Sequence, residues 1–434
     1  MASKSADSIF GWCGRTLVVD LSDRSCRELD TLEYSEDFLG GRGIAARIYW
    51  DLVLPETGAL DPDNHLIFMT GPLGATGAQG ASRFTVTAKS PMTMPEGYCY
   101  GNLGGFFGPY LKRAGFDGLV IHGKSEQPVY INITDDTVEF LDASTLWGQG
   151  VTHVSQSLKM THGNSARFIT TGPAGETQCR SANIMTDNEG SATGGFGAVM
   201  GSKNLKAIVV TGTKYPAVAD PESLKSLNKT TIELNRRDSM FLPFPPDEVS
   251  RIGRSSCYQC GVDCVYRARL KTASGEEMVR KCQSMFVYFR WVAGRSGESS
   301  ETALRATGIC NDLSLCTMEM FNILTWLTDC NSAGVLTQEQ IGLDMSRMGT
   351  LGFFEDLAHM IVEQKGLGEA LSKGLLRAGD ILGPQVRACF APEVAGVGDG
   401  ATYSAREYLM NGLLYAFSPR QPIAMLHEVS RLTG

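Results

Sequence analysis

The chain has 434 residues, 43% of them hydrophobic and 20% charged, with a formal net charge of −8, which supplies apolar material for a large core divided over two or three domains. That acidic balance argues against nucleic acid, which selects basic patches, and no run of about 18 apolar residues offers a membrane-spanning helix. The opening segment MASKSADSIFGW lacks the apolar centre of a signal peptide, so the sequence predicts a cytoplasmic protein.

In chain order, short apolar runs bounded by Gly, Pro or Asp predict strands over 16–20, 65–69, 118–121 and 207–210. Glycine clusters flank these runs at 71–77, 101–105, 172–176 and 194–201. Their backbone amides can cradle a phosphate or a flat heterocycle. None of them spells a P-loop or opens a dinucleotide-binding helix, which disfavours nucleotide folds. The texture changes near residue 215. Two prolines in 214–221 and three in 241–246 predict a boundary and an extended loop there. Beyond it, apolar residues recur at helical spacing over 318–327, 354–362 and 408–417. The expected fold is α+β: a β-rich domain over 1–212, a mainly helical domain over 213–385, and over 386–434 the start of a further helical domain that is otherwise largely missing.

The most informative stretch is Cys257-Tyr258-Gln259-Cys260-Gly261-Val262-Asp263-Cys264. Three thiolates spaced C-x2-C-x3-C can wrap one corner of a [4Fe-4S] cubane while a distant cysteine takes the fourth iron. Zinc, or three unrelated buried cysteines, is the competing reading, although no second C-x2-C pair or nearby histidine completes a zinc site. Twelve cysteines in so long a chain are too sparse for a disulfide scaffold.

Five segments together resemble the tungsten-containing aldehyde ferredoxin oxidoreductases. They are Gly40-Gly41-Arg42-Gly43, Ser82-Arg83-Phe84-Thr85 with Ser90-Pro91, Asn102 with Gly104-Gly105-Phe106-Phe107-Gly108, Leu111-Lys112-Arg113-Ala114-Gly115-Phe116-Asp117-Gly118, and Gly197 to Ile208 through Gly201-Ser202-Lys203-Asn204-Leu205-Lys206. The resemblance implies a β-rich base for two pterin dithiolenes that hold one tungsten, or molybdenum, with helical domains closing over it and a cubane on Cys257, Cys260 and Cys264 passing electrons out. It implies that Arg83 contacts a pterin and that the Asn102 carbonyl holds a magnesium between the pterin phosphates. Gly104, Gly105, Gly194, Gly195 and Gly197 would line the pterins. A second clamp is implied at Asn311, Ser314, Leu315 and Cys316, where the family has an Asp-x-x-Gly-Leu-Asp or Cys element. The bland alternatives are a surface ion pair for Arg83, a turn residue for Asn102 and a helix cap for Asn311.

Departures from the family pattern bear on chemistry. The glutamate that aldehyde-oxidising members carry after the triplet is replaced by Lys281-Cys282, which resembles the tungsten subunit of ATP-independent benzoyl-CoA reductases and makes Cys282 a catalytic candidate; an inert buried thiol is its alternative. Where members have His-Val-Lys-Gly, this chain reads Glu393-Val394-Ala395-Gly396, leaving Glu393 as a substitute acid, and Thr193 stands where members have an arginine. Cys282, Cys310, Cys316, Cys330 and Cys389 are candidates for the fourth cluster ligand, with a partner chain or hydroxide as alternatives. The expected activity is oxidation of an aldehyde to a carboxylate with ferredoxin as acceptor. Reduction of an aromatic acyl-CoA within a ferredoxin-like electron-transfer complex is the alternative, followed by an incomplete, non-catalytic subunit. The resemblance also implies a homodimer or hetero-oligomer.

Overall fold

The computed structural model describes residues 9–187, 189–234, 244–261, 267–281, 287–389, 393–394 and 397–398. Two six-stranded mixed sheets build the first half. The first joins β1 (Arg15–Asp20), β2 (Ser25–Asp30), β3 (Leu66–Met69), β4 (Phe84–Ser90), β5 (Gly97–Leu103) and β6 (Gly118–His122) in the order β2-β1-β6-β3-β4-β5, with β1 and β6 parallel. The second joins β7 (Val129–Thr134), β8 (Thr137–Asp142), β9 (Arg167–Thr170), β10 (Ile184–Thr186), β11 (Ser191–Ala192) and β12 (Leu205–Thr211) in the order β11-β10-β9-β12-β7-β8, with β12 and β7 parallel. The predicted strands are all present, with ends shifted by at most two residues from those of their apolar runs.

One apolar cluster takes Leu17, Phe68, Val86 and Leu119 from the first sheet and Ile131, Ile169, Ile208 and Val210 from the second. The short helices Phe107–Arg113 and Phe196–Ser202 contribute Phe107, Leu111, Phe196 and Val199 to it. β3 and β4 are buried along their whole length, as expected of strands covered on both faces. On the outer sides, Ile44, Ala45 and Ile48 of the helix Arg42–Leu52 pack on the first sheet, and Val154 and Leu158 of the helix Val151–His162 pack on the second.

The second half opens with the helix Pro221–Leu234 and is helical again around 300–387, but strands lie between. β13 (Val249–Arg254), β14 (Arg267–Thr272) and β15 (Glu277–Lys281) form an antiparallel meander, which the helical expectation missed. The helices Ser300–Leu313, Thr317–Ser332, Leu351–Val362, Leu367–Ser372 and Leu375–Leu382 then share a core that includes Ala174, Cys179, Ala182 and Ala198 of the β-rich half. β16 (Glu393–Val394) and β17 (Val397–Gly398) form a small antiparallel pair. The predicted helix over 408–417 lies outside the described residues. The architecture is α+β.

Candidate cofactor site

The glycine segments, scattered over a hundred residues of sequence, meet along one rim of the β-rich half. Asn102 sits opposite Thr85 in the β4/β5 ladder, and its Oδ1 accepts the Thr85 hydroxyl at 3.0 Å. A Cβ on the neighbouring Gly101 would lie 3.0 Å from both the Ala192 side chain and the Thr193 carbonyl, so β5 packs closely on the Ala192-Thr193 segment. The Ser90 hydroxyl donates to the Gly194 carbonyl at 2.8 Å. Gly195 has φ +74°, and a side chain there would strike the Arg180 carbonyl at 2.5 Å. Only glycine satisfies both demands. Gly104 and Asn102 are half-buried, while Gly105, Gly194, Gly195 and Gly197 are buried and Arg83 is exposed.

The cysteine loop docks on this rim. The Tyr258 amide donates to the Gly105 carbonyl at 3.0 Å, and the Gly261 amide donates to Gln79 Oε1 at 2.7 Å. The Tyr258 ring meets Phe106 and Tyr110 edge-on at 6.1 and 6.2 Å. Between the two described thiols, Gln259 takes φ +45° and the Cys260 amide returns to the Cys257 carbonyl at 3.2 Å, closing a tight C-x2-C turn. Cys257 and Cys260 are half-buried and not in a disulfide. Cys264 lies outside the described residues, as does Cys282. Among the described residues no group of three or more His, Cys, Asp or Glu side chains could hold a metal ion.

From the helical half, the segment 311–316 reaches the same rim through its backbone. Ser314 ends the helix Ser300–Leu313 in the left-handed conformation, φ 64°, which explains why a glycine suits this place in the resembling family. Its hydroxyl accepts the Gly172 amide at 2.6 Å, and its carbonyl accepts the Asn183 amide at 2.7 Å. Leu315 bridges to Ala182, and the Cys316 amide donates to the Ser181 carbonyl at 3.1 Å. The Gly197 amide in turn donates to the Ala182 carbonyl at 3.0 Å. Asn311 does not begin a helix; it lies in the last turn, where its carbonyl accepts the Ser314 amide at 3.2 Å. It lines a cleft of about 590 Å³ between the two halves, with Thr152, Asp187, Glu189, Glu276, Arg280, Arg305, Asp312 and Glu355. Arg280 pairs with Glu189, and Arg305 pairs with Glu276.

These surroundings fit a flat, polar, phosphate-bearing group better than a packed core. Gly101 and Gly195 let the segments of the rim pack closely on one another, and the buried Asn183 Oδ1, beside Gly197 and Ser314, has no hydrogen-bonding partner. A buried acceptor left unpaired costs about 1–3 kcal/mol, which a bound donor removes. The metal side fits in part, with two thiols of the triplet in place on a loop seated against Gly105.

Several charged residues of the resembling motifs serve the fold instead. Lys112 donates to the Gly71 carbonyl at 2.8 Å and faces Asp117 at 3.5 Å, with both side chains fully buried. Lys203 donates to the Pro62 carbonyl at 2.7 Å, and burial pushes its ammonium down to about 7. Lys206 reaches the Gln149 carbonyl at 2.9 Å and pairs with Glu176. Among the candidates for the fourth cluster ligand, Cys310, Cys316 and Cys330 are fully buried and Cys389 half-buried, and burial pushes the Cys330 thiol up to about 12. Glu393 belongs to β16. The sequence reading missed Arg180, Asn183 and Glu319. Glu319 is buried with one oxygen accepting the Leu375 amide at 3.2 Å, and desolvation raises its carboxyl above the usual range. Its position in the first turn of Thr317–Ser332, after Cys316, carried no local signal of such burial.

The family model of the aldehyde ferredoxin oxidoreductase N-terminal domain matches residues 16–212, and that of domains 2 and 3 of the same enzymes matches residues 246–427. The chain is 31% identical to the tungsten-containing aldehyde ferredoxin oxidoreductase of Pyrococcus horikoshii, over 84% of this chain and 67% of that one. It is 28% identical to the WOR-like subunit of an aliphatic sulfonate oxidoreductase of Pyrococcus furiosus, over 91% of this chain and 71% of the other. Among solved structures it is similar to the active site complex BamBC of benzoyl coenzyme A reductase in complex with 1,5-dienoyl-CoA, with a TM-score of 0.79 and 27% identity, over 90% of this chain and 66% of that chain. The chain thus spans about two thirds of the length of these relatives.

Proposed function

We infer that this chain, which belongs to the aldehyde ferredoxin oxidoreductase family, is an oxidoreductase that converts an aldehyde to a carboxylate at a tungsten bis-pterin and delivers the electrons to a ferredoxin-type acceptor. The observation that carries this reading is the docking of the Cys257–Gly261 loop on Gly105 and Gln79, which seats a C-x2-C turn against the glycine rim. In this reading Cys257, Cys260 and Cys264 hold the [4Fe-4S] cluster. The Asn102 carbonyl would hold a magnesium, Gly104, Gly105, Gly194, Gly195 and Gly197 would line the pterins, and Arg83, exposed and permanently charged, would contact a pterin. Asn311, Ser314, Leu315 and Cys316 form the clamp from the helical half, and Asn183 Oδ1 accepts a pterin N–H. When bound, the metal centre supplies two-electron chemistry at low potential, and the cluster divides the pair into single electrons. The protein's task is to orient the substrate, exclude water and move the proton, for which Cys282 and Glu393 are the candidates by position.

The cleft beside Asn311 favours an uncharged substrate. Asp187, Glu189, Glu276, Asp312 and Glu355 outnumber Arg280 and Arg305, and both arginines are already ion-paired. Such a lining repels the several phosphates of coenzyme A. The acyl-CoA reading retains the Lys281-Cys282 pair and the likeness to BamBC in its favour. Anaerobically purified protein should contain tungsten and iron and should reduce a viologen dye with members of an aldehyde panel. Tungsten and molybdenum both well below one per chain would overturn the enzyme reading. A full metal complement with dye reduction by no aldehyde, but dienoyl-CoA formation from an aromatic acyl-CoA, would replace the first reading with the second.

A further inference from the structure

Two guanidinium groups from opposite halves of the molecule converge on one carbonyl beside the glycine rim. Arg180 Nη1 and Arg377 Nη1 both donate to the Pro91 carbonyl, at 2.9 and 3.2 Å, and Arg377 Nη2 donates to the Thr93 carbonyl at 2.8 Å. Among the described residues a single carboxylate, Glu96, pairs with Arg180, and its other oxygen accepts the Ala59 amide at 2.8 Å. Two permanent positive charges therefore share one negative charge. Arg180 is about three quarters buried, and both burial and the neighbouring Arg180 lower the pKa of Arg377, so the like charges are held together at a cost. Arg180 Nε and Nη2 and Arg377 Nε have no hydrogen-bonding partner among the described residues. The carbonyl that both guanidiniums share belongs to Pro91, whose ring would lie 2.7 Å from a Cβ on Gly195, so the pair sits next to the rim.

We propose that Arg180 and Arg377 form a two-sided clamp for a phosphate or diphosphate group bound at the Gly194–Gly195 turn, and, on the functional reading above, that this group is the phosphate end of a pterin cofactor. Guanidinium forks match phosphate oxygens in pairs, and here one fork comes from the β-rich half and one from the helix Leu375–Leu382. Binding the anion neutralises the surplus charge and ties the halves together. A purely mechanical staple of the 91–96 loop would need neither the second positive charge nor the unused N–H groups.

Thermal unfolding of the full chain, produced without tungstate, tests the clamp in the presence of inorganic diphosphate against sodium chloride of equal ionic strength. Diphosphate should raise the midpoint by several degrees, and Arg180→Gln and Arg377→Gln should each weaken its apparent affinity about tenfold or more. Glu96→Gln should leave that affinity equal or tighter. Chains purified with cofactor available are assayed for tungsten and for organic phosphate, and both glutamine variants should hold about a tenth of the wild-type content. If the variants lose the diphosphate response but keep full tungsten and organic phosphate, the clamp stands as a site for a free phosphate ligand and the cofactor assignment falls. If a glutamine variant fails to fold, Arg180→Lys and Arg377→Lys, which keep the charge but lose the fork, should show an intermediate response. Absence of a diphosphate effect on the wild-type chain, or an equal effect in wild type and folded glutamine variants, overturns the proposal. Because the diphosphate arm needs no metal, a wild-type chain devoid of tungsten would sink the functional reading and still leave the clamp to be measured.

Discussion

Gly201→Ala should destabilise the cofactor rim although alanine is the better helix former. Gly201 lies in the fully buried helix Phe196–Ser202, which crosses the short helix Pro173–Glu176 at Gly175. A Cβ at 201 would stand 1.8 Å from the Gly175 carbonyl oxygen, and a Cβ at 175 would stand 2.6 Å from the Gly197 carbonyl. Restoring ordinary contact needs a separation of more than about 1 Å in an interior packed as densely as a crystal. The helix-propensity gain is about 1 kcal/mol, while overpacking of this kind costs about 1–3 kcal/mol or more, so the steric cost wins. The displacement runs along a helix that begins at Gly195 and whose Gly197 amide bonds Ala182. Binding geometry tolerates only about 0.5 Å of error. The variant should therefore unfold several degrees lower and lose tungsten beyond what its stability explains. Differential scanning calorimetry with metal analysis reads both, and Gly71→Ala is the control. Gly71 has no heavy atom within 4 Å of its added Cβ and no positive φ, so alanine there should be neutral or stabilising by about 0.4–1 kcal/mol. A Gly201→Ala protein as stable and as metal-loaded as wild type would refute the crossing as drawn.

Lys112→Met should cost about 3–5 kcal/mol in urea unfolding, because it leaves Asp117 fully buried without its cation, and adding Asp117→Asn should recover part of the loss. His65 stacks on His122 at 4.8 Å, and burial first, then His122, pushes it down to about 4 from an ordinary 6.5. The unfolded chain thus takes up the proton first, so the stability from this site is complete above pH 6.5 and is lost as pH falls toward 4. Urea midpoints should drop across that window, and His65→Gln should flatten the drop; an unchanged slope counts against the assignment. Ser314→Gly removes a left-handed non-glycine residue, a relief of about 1–2 kcal/mol, but leaves the buried Gly172 amide without its 2.6 Å acceptor, a loss of about 1–3 kcal/mol. Its unfolding midpoint should be unchanged or slightly lower, and a clear increase would mean that the hydroxyl contributes nothing.

Local signals carried β3 and β12 well because they are buried along nearly their whole length and contain the unbroken apolar runs Leu66-Ile67-Phe68-Met69 and Ala207-Ile208-Val209-Val210, whereas β4, equally buried, alternates apolar residues with Thr, Lys and Ser and was not among the predicted strands. The meander β13 to β15 escaped notice for the opposite reason. β13 has one face exposed, and its strand pattern in Val249-Ser250-Arg251-Ile252-Gly253-Arg254 is diluted by two arginines and a glycine. Its buried contribution is Val249, which joins Leu270 and Met278 across the sheet, a pairing visible only in three dimensions. The glycine clusters pointed to the rim, but not to its reason in Gly101 and Gly195, where the crowding atoms belong to segments about 15–105 residues away. Lys112, Lys203 and Lys206 look like ligand-binding cations in a motif and turn out to hold backbone carbonyls. Arg180 and Arg377 looked ordinary because nearly 200 residues separate them.

The rim's construction sorts the departures from the family pattern by consequence. At Ala182, Asn183, Leu315 and Cys316 the contacts between segments run through amides and carbonyls. A changed side chain, such as Thr193 or Ser314, therefore leaves the cradle standing provided it tolerates the local φ and the space. Ser314 meets that condition by adding its own hydrogen bond to Gly172. The cysteine turn and the arginine pair are different, because there the side chain itself is the donor or ligand and no backbone group can replace it. Substitutions at Cys257, Cys260, Arg180 and Arg377 should therefore decide cofactor content, whereas those at 193 and 314 should chiefly tune stability and substrate orientation.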